Sequence, residues 1–136
     1  MSGSPEGLSD SFSIDAFHRG KFRLVQPLRR GHRSGTDAMM LAAAVPSGFS
    51  GTLVDLGAGA GAAGLAVASR CAGASITLVE NAPEMADCAR RSLALEENAE
   101  LAGRSAVIEA DVRLPDRERR AVGLADFSFD WAIMNP

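Results

Sequence analysis

The pattern of hydrophobic and polar positions divides the chain into short strands and short helices. Between residues 17 and 26, Phe22, Leu24 and Gln26 alternate with Arg23 and Val25 beyond a turn at Gly20, which predicts a short β-hairpin or ribbon. Farther along, brief apolar runs are bounded by Gly, Pro or charged residues, as is typical of buried strands. These runs occupy residues 52–56, 75–80, 106–110 and 129–134.

Helices are expected between these strands and before the first of them. Strong helix formers fill residues 38–45, and Thr36 or Asp37 is placed to cap that helix. A second helix is expected at 65–72, and a third from 83 to about 98, where a proline suits the first turn. Because strands and helices alternate at this spacing, the sequence predicts an α/β fold of parallel βαβ units with right-handed crossovers.

Length and composition indicate one domain preceded by a tail. At 136 residues, the chain fits a single globular domain. Residues 1–14 are polar and rich in Gly, Ser and Pro, so we expect a disordered tail there and neither a signal peptide nor a membrane anchor. Residues 15–136 are expected to form the domain, with the hairpin and first helix in 15–50 and the βαβ half in 51–136.

Two further features bear on where the protein works. No apolar run reaches the roughly 18 residues of a membrane span. Cys71 and Cys88 are too few for a disulfide framework and lack the spacing of metal ligands, so we expect reduced thiols that fill the core. These features predict a cytoplasmic protein that needs neither a membrane nor a metal.

Basic residues are concentrated near the N-terminus although the net charge of the chain is −3. Residues 16–36 hold six Lys or Arg and no Asp or Glu, so this segment carries +6 and the remainder carries −9. Such clustering is typical of a surface that binds a polyanion, and it favours a nucleic acid contacted through residues 18–33. A solvated basic hairpin without a partner is the alternative interpretation.

Residues 53–64 read LVDLGAGAGAAG, a glycine-rich loop directly after the first apolar strand. Glycine lets the chain turn sharply at positive φ, and it lets the backbone approach a ligand without a side chain in the way. Gly59-x-Gly61-x-x-Gly64 fits the dinucleotide-binding fingerprint, and Glu80 lies at about the distance expected of the acid that binds the ribose. The Gly-Lys-Ser/Thr of a P-loop is missing, so the loop predicts a nucleoside cofactor.

Polar residues at the ends of the strands indicate which cofactor this is. Ligands of open α/β sheets bind at the carboxyl ends of the strands, where this chain carries Asp55, Glu80, Asp111 and Asn135. Asp55 would be unfavourable beside a pyrophosphate, but it suits the ammonium and sulfonium groups of S-adenosylmethionine. These residues favour S-adenosylmethionine over NAD, and a nicotinamide-dependent oxidoreductase is the alternative from another enzyme class.

Over residues 17–136, these motifs resemble those of the class I S-adenosylmethionine-dependent methyltransferases. The resemblance implies a Rossmann-like sheet of parallel strands with flanking helices, preceded here by the hairpin and the first helix. In that family, the glycine loop and the residues after the next two strands hold the cofactor. The matching residues are Asp55, Gly57, Ala58, Gly59, Gly61, Glu80, Asn81, Asp111 and Val112.

The last three residues, Met134-Asn-Pro, resemble the start of the Asn-Pro-Pro-aromatic motif of enzymes that methylate planar amino or amide nitrogens. The resemblance implies that Asn135 and Pro136 are catalytic. In the family, a second proline, an aromatic ring and further strands follow, so we expect the C-terminal part of the sheet to be missing. A cofactor-binding fragment without turnover is therefore an alternative. An open edge on the last strand predicts self-association, degradation in solution or further residues downstream.

Residues 26–43 resemble the stretch before the glycine loop in bacterial adenine-N6 methyltransferases of the valine tRNA anticodon loop. There, Arg33, Thr36 and Asp37 would line the methionine end of the cofactor. The resemblance implies methyl transfer to an exocyclic adenine nitrogen of RNA, with tRNA as the expected partner. Enzymes that methylate a guanine amino group or a protein glutamine share the Asn-Pro motif and are alternatives.

Overall fold

The computed structural model describes residues 12–28, 35–126 and 128–135. Within these ranges the strands are β1 (Phe12–Phe17), β2 (Phe22–Pro27), β3 (Ser50–Leu56), β4 (Gly73–Glu80), β5 (Ser105–Glu109) and β6 (Trp131–Met134). The helices are α1 (Thr36–Ala43), α2 (Ala62–Arg70), α3 (Pro83–Ala94), α4 (Ala99–Ala102) and α5 (Asp116–Ala121), and Glu96–Asn98 forms a 3₁₀ turn. None of the helices in these ranges is both long enough and apolar enough to cross a membrane.

Four parallel strands form the central sheet, in the order β5-β4-β3-β6. Separately, β1 and β2 pair as an antiparallel hairpin, with Phe12 opposite Pro27 and Phe17 opposite Phe22. The parallel sheet with helices between its strands confirms the predicted α/β, Rossmann-like fold. Because parallel strands all end on the same side, the residues that follow them lie along one edge, here called the carboxyl edge, and the opposite edge is the amino edge.

The main hydrophobic core lies on one face of this sheet, which we call the helical face because α1, α2 and α3 cover it. Alternate side chains of each strand point to this face, and Leu53, Ile76 and Leu78 are almost fully buried there. Helix α2 is buried along most of its length, since its alanines and glycine let it lie close to the strands. Phe22 and Leu24 of the hairpin complete the same core.

Two buried polar side chains attach the hairpin to α3 and the turn after it. The Ser92 hydroxyl accepts a hydrogen bond from the Val25 backbone N–H at 2.9 Å. The Asn98 side-chain oxygen accepts from the Arg23 N–H at 3.0 Å, and its amide donates to the Arg23 carbonyl at 2.6 Å. Because α3 begins at the carboxyl edge and ends at the amino edge, β2 begins at the amino edge and runs back along the helix.

The opposite face of the sheet, here called the open face, has less cover in the described part of the chain. Val54, Val79 and Leu124 form its small buried cluster. Helix α5 lies on this side, and none of its six residues is buried. A cavity of about 330 Å³ opens here, and its lining includes Val54, Leu56, Arg119, Leu124, Phe129 and Ala132.

The N-terminal segment differs from the prediction in where the hairpin starts. Strand β1 begins at Phe12, so residues 12–14, which their composition placed in a tail, belong to the hairpin. The physical reason is contact with distant residues, because the Arg91 guanidinium of α3 lies 4.7 Å from the centre of the Phe12 ring.

Helix ends also differ from their predicted positions. Gly35 precedes α1 at the N-cap, and no side chain caps the helix there, so the expected cap by Thr36 or Asp37 is wrong. Helix α3 ends at Ala94 rather than near residue 98, because Leu95 adopts an extended backbone. The chain then continues through the 3₁₀ turn into α4, a short helix that the apolar pattern did not indicate.

Candidate cofactor-binding and active site

The glycine-rich loop runs along the carboxyl edge from the end of β3 to the start of α2. Gly57, Gly59 and Gly61 have φ angles of +74°, +59° and +106°, a region in which any side chain is strained. The backbone N–H groups of Gly57 and Ala58 both donate to the Val79 carbonyl of the neighbouring strand, each at 2.9 Å. The loop is therefore held against β4 by its own backbone.

The glycines of this loop form two groups, according to what a side chain would meet. A Cβ on Gly61 would lie 2.9 Å from a methyl carbon of Leu78, and a Cβ on Gly64 would lie 2.5 Å from one. Because both distances are too short for a carbon contact, these two glycines let α2 pack on the sheet. A Cβ on Gly57 would meet nothing within 4 Å. Gly57 thus leaves accessible backbone at the carboxyl edge, as a bound nucleoside cofactor requires, whereas a Cβ on Gly59 would lie 3.7 Å from the methyl carbon of Met85.

Asp55 lies at the joint between β3 and α2 and is only 1% exposed. Its Oδ2 accepts a hydrogen bond from the Gly64 N–H at 3.0 Å. Burial raises the pKa of Asp55 to about 7, the hydrogen bond from Gly64 opposes the rise, and the negative charge of Glu80 adds to it. The sequence predicted a charge contact with the cofactor, whereas the structure places this carboxyl group between the strand and the helix that carry the loop.

Glu80, the last residue of β4, joins two segments of the site through its carboxylate. Its Oε1 accepts from the Gly59 N–H at 2.7 Å, and its Oε2 accepts from the Ala82 N–H at 2.9 Å, at the start of α3. A carboxylate has about four lone-pair sites, so both oxygens retain capacity for hydroxyl donors. The side chain therefore organises the loop and is still able to accept ribose hydroxyls, and Asn81 beside it is exposed.

Asp111 follows β5 and forms a close pair with Arg113, a residue that the sequence analysis missed. Its Oδ1 accepts from the Arg113 backbone N–H at 2.9 Å and from Nε at 3.0 Å, and its Oδ2 accepts from Nη2 at 2.8 Å. These hydrogen bonds lower the pKa of Asp111 to about 2, so the group is ionised across the neutral range. Val112 between them packs against the buried cluster of the open face.

Asn135 comes directly after β6 and is exposed. In the parallel register, Leu56 lies beside Met134, so Asn135 lies level with Gly57 at the carboxyl edge. The strand order thus brings the predicted catalytic amide next to the loop predicted to hold the cofactor. Pro136 lies outside the described residues.

Helix α1 places Thr36 and Asp37 toward the same edge. The Arg70 guanidinium at the C-terminal end of α2 donates to the Ala42 carbonyl at the C-terminal end of α1, at 2.8 Å. Since the two helices pack with these ends together, the N-terminal end of α1 lies toward the glycine loop. Thr36 and Asp37 are exposed there, and Arg33 lies outside the described residues.

The site combines a parallel α/β sheet, a loop with accessible glycine backbone, and polar side chains along one edge. These features define a Rossmann-like domain that binds a nucleoside cofactor. Residues 34–136 match the methyltransferase small domain family, and the chain belongs to that family. Class I methyltransferases use S-adenosylmethionine, so family membership confirms the cofactor predicted from the strand ends.

Solved structures share this fold. A predicted O-methyltransferase from Agrobacterium tumefaciens is 50% identical, with a TM-score of 0.69 over 74% of this chain and 49% of that chain. TYW2 from P. horikoshii, in complex with MeSAdo, is 15% identical, with a TM-score of 0.61 over 78% of this chain and 39% of that chain. The present chain thus spans about half the length of the Agrobacterium protein, and no curated protein matches it.

Proposed function

We propose that this protein transfers a methyl group from S-adenosylmethionine to the exocyclic amino nitrogen of an adenine in RNA, with tRNA as the substrate. The observation that carries the proposal is the position of Asn135, level with Gly57 at the carboxyl edge. A methyl donor held on the loop and an acceptor nitrogen held by the Asn135 amide would then be neighbours. The resemblance of residues 26–43 to the tRNA enzymes supports the choice of acceptor.

Residues of the carboxyl edge suit different parts of the cofactor. Gly57 is exposed and offers backbone that no side chain covers, and Gly59 is held beside it by its hydrogen bond to Glu80. Glu80 can accept ribose hydroxyls with the lone pairs that its two backbone hydrogen bonds leave. Asp111 is ionised and can accept a hydrogen bond from the adenine amino group. When bound, S-adenosylmethionine supplies a methyl group activated by a positively charged sulfur.

Catalysis in this proposal is the positioning of the acceptor. The lone pair of an exocyclic adenine nitrogen is delocalised into the ring, which makes it a weak nucleophile. The side-chain oxygen of Asn135 and the carbonyl oxygen of Pro136 would accept hydrogen bonds from the two N–H groups of the adenine amino nitrogen. These hydrogen bonds would localise its lone pair toward the methyl group. Such positioning of two reactants would supply roughly 7–11 kcal/mol, and the two oxygens would stabilise the positive charge that develops on nitrogen until it releases one of its two protons to solvent.

The atom that receives the methyl group separates this proposal from the alternatives. Two hydrogen-bond acceptors match an amino group with two N–H donors, whereas a hydroxyl group has a single donor. The Agrobacterium protein is named a predicted O-methyltransferase, so the assay must distinguish nitrogen from oxygen products. Guanine amino groups and protein glutamine offer the same two donors and are further outcomes to distinguish.

The charge distribution and the thiols fit an RNA substrate in the cytoplasm. Residues 16–36 carry +6 in a chain that is otherwise acidic, and this is the segment that we propose contacts RNA. Cys71 and Cys88 are buried and unbridged, which is compatible with a reducing compartment. Strand β6 is at the edge of the described sheet, and pairing of two copies through this edge is the assembly that we propose.

Transfer of labelled methyl groups to tRNA, followed by digestion to nucleosides, tests the proposal. We expect the label in N6-methyladenosine, and we expect Asn135→Ala to lower the rate by about 100-fold or more without changing the affinity for S-adenosylhomocysteine. Arg117→Ala, a change on the exposed surface of α5, is the control and should leave the rate unchanged. Label in guanine, in an oxygen position or in protein would contradict the proposal, and cofactor binding without transfer would identify a cofactor-binding unit instead.

A further inference from the structure

The turn between β1 and β2 has a backbone that is unusual for its residues. His18 and Arg19 have φ angles of +49° and +57°, both in the left-handed region. The Gly20 N–H donates to the Phe17 carbonyl at 3.0 Å, which closes a turn with His18 and Arg19 as its two central residues. Gly20 follows with a φ of +83°, and the Lys21 N–H donates to the His18 carbonyl at 3.2 Å, so three consecutive residues of this loop have positive φ. Asn and Gly adopt such a conformation most readily. Strained backbone of this kind is common where a functional side chain is needed, so the choice of His and Arg calls for an explanation.

The turn lies at the amino edge of the sheet, opposite the cofactor site. His18 Nδ1 lies 3.2 Å from the Ser69 hydroxyl in the last turn of α2, and its ring packs edge-on against Phe22 with 5.7 Å between centroids. Helix α2 starts at the glycine loop and has nine residues, so its two ends are about 12–14 Å apart. The turn and Asn135 therefore occupy opposite ends of the domain.

Positive charges are gathered around this turn. Arg19 and Lys21 are exposed. Arg70 follows Ser69, whose hydroxyl contacts the His18 ring, so its positive charge is also near the turn. Burial lowers the pKa of His18, and the charges of Arg70 and Lys21 lower it further. In the ranges that the structure describes, no carboxylate forms an ion pair with Arg19, Lys21 or Arg70. We call this group of side chains the turn surface: His18, Arg19, Lys21 and Arg70.

We propose that the turn surface binds phosphates of the RNA backbone, about one helix length away from the methylated base. This inference rests on the proposed function and says which basic residues hold the RNA. Arg23 is not included in the turn surface, because its Nε lies 3.8 Å from Oε2 of Glu97, and the carboxylate offsets its positive charge. An RNA contacts the turn surface and Asn135 together only if it reaches both ends of the domain, so the surface favours a folded RNA over a short oligonucleotide.

Arg19→Gly separates a phosphate contact from a purely structural turn. Glycine relieves the strain at a φ of +57°, so we expect a higher melting temperature. The change also removes one cation, so the slope of log affinity for tRNA against log salt concentration should fall by about 1. Adding Lys21→Ala should bring the loss to about 2. Binding of a trinucleotide and of S-adenosylhomocysteine should not change.

Two control variants remove one positive charge elsewhere. Arg90→Ala breaks the ion pair with Glu109, and Arg117→Ala changes the exposed surface of α5; both should leave the salt slope unchanged. If Arg19→Gly raises the melting temperature while the salt slope of tRNA binding stays the same, the proposed RNA contact of the turn surface is wrong and the proposed reaction is unaffected. If the unaltered protein binds S-adenosylhomocysteine but no tRNA, the proposed RNA substrate is wrong, and so is the proposed phosphate contact of the turn surface.

Discussion

The two faces of the central sheet differ in how completely they are covered. On the helical face, Leu53 and Leu78 are fully buried under helices. On the open face, Val79 is buried, but Leu56 is only partly buried and Met134 is 51% exposed. The cavity of about 330 Å³ lies on this second side. The same strands thus support a closely packed core on one side and a loosely covered apolar surface on the other.

This asymmetry shows which part of the molecule shapes the cofactor loop. Gly61 and Gly64 fit closely against Leu78, and Asp55 holds the Gly64 N–H, so these contacts belong to the helical face. Leu56 and its neighbours on the open face line a cavity instead. Changes on the helical face should therefore disturb both stability and the loop, whereas changes on the open face should be tolerated.

The largest effect is expected from Leu78→Ala. Because Leu78 is fully buried against the loop glycines, its truncation should lower the free energy of unfolding by about 3–5 kcal/mol. Leu56→Ala is the matched change on the open face, where the side chain is partly exposed beside a cavity, and it should cost about 1–2 kcal/mol. Urea unfolding of both variants measures the difference. Equal losses would show that the two faces are packed equally well.

Asp55 is expected to give the helical face a pH dependence. Its pKa is about 7 in the folded chain and about 3.9 in an unfolded one. Between these values the folded state holds a proton that the unfolded state has released. The contribution of this group to stability is therefore fully present below about pH 4 and is lost as the pH rises through about 7.

Asp55→Asn tests this dependence, because asparagine keeps an oxygen for the Gly64 N–H and carries no charge. We expect the variant to be more stable than the parent protein above pH 7, by on the order of 2–4 kcal/mol, and similar to it near pH 4. Thermal unfolding across this range gives the comparison, with Glu118→Gln on the exposed surface of α5 as the control. Parallel pH profiles for Asp55→Asn and the parent would show that Asp55 is ionised in the folded chain.

The elements of both faces were largely predictable from the apolar pattern, because most strands of the sheet and the helices α1, α2 and α3 carry apolar side chains toward the core. Asp55 shows what was overlooked. Side chains alternate along a strand, so Asp55 points to the same face as Leu53 and enters the core beside α2. The prediction of a cofactor contact rested on its place near the end of the strand and not on the face on which its side chain lies.

Features that depend on contacts between distant segments were not predictable. Phe12 belongs to β1 through its pairing with Pro27 and its contact with Arg91, neither of which its own neighbours in sequence indicate. The pair of Asp111 and Arg113 depends on the turn that follows β5, and an acid two residues before an arginine is only a weak signal for it.

The smallest effect on stability is expected at the exposed end of the open face. Because Met134 is 51% exposed on β6, Met134→Lys should change the free energy of unfolding by less than about 0.5 kcal/mol. Its effect should appear in association, since a lysine on an edge strand opposes pairing between copies of the chain. In sedimentation experiments, the variant should stay monomeric at concentrations at which the parent protein associates.

Met40→Lys is the matched control, because Met40 is a 67% exposed methionine on α1 and not on the edge strand. It should leave association unchanged. If Met134→Lys associates as the parent does, the two copies do not pair through β6. If it instead destabilises the chain by about 2 kcal/mol, as burial of a charge in a packed site would, the open face is as well packed near β6 as the helical face, and the contrast between the two faces does not hold there.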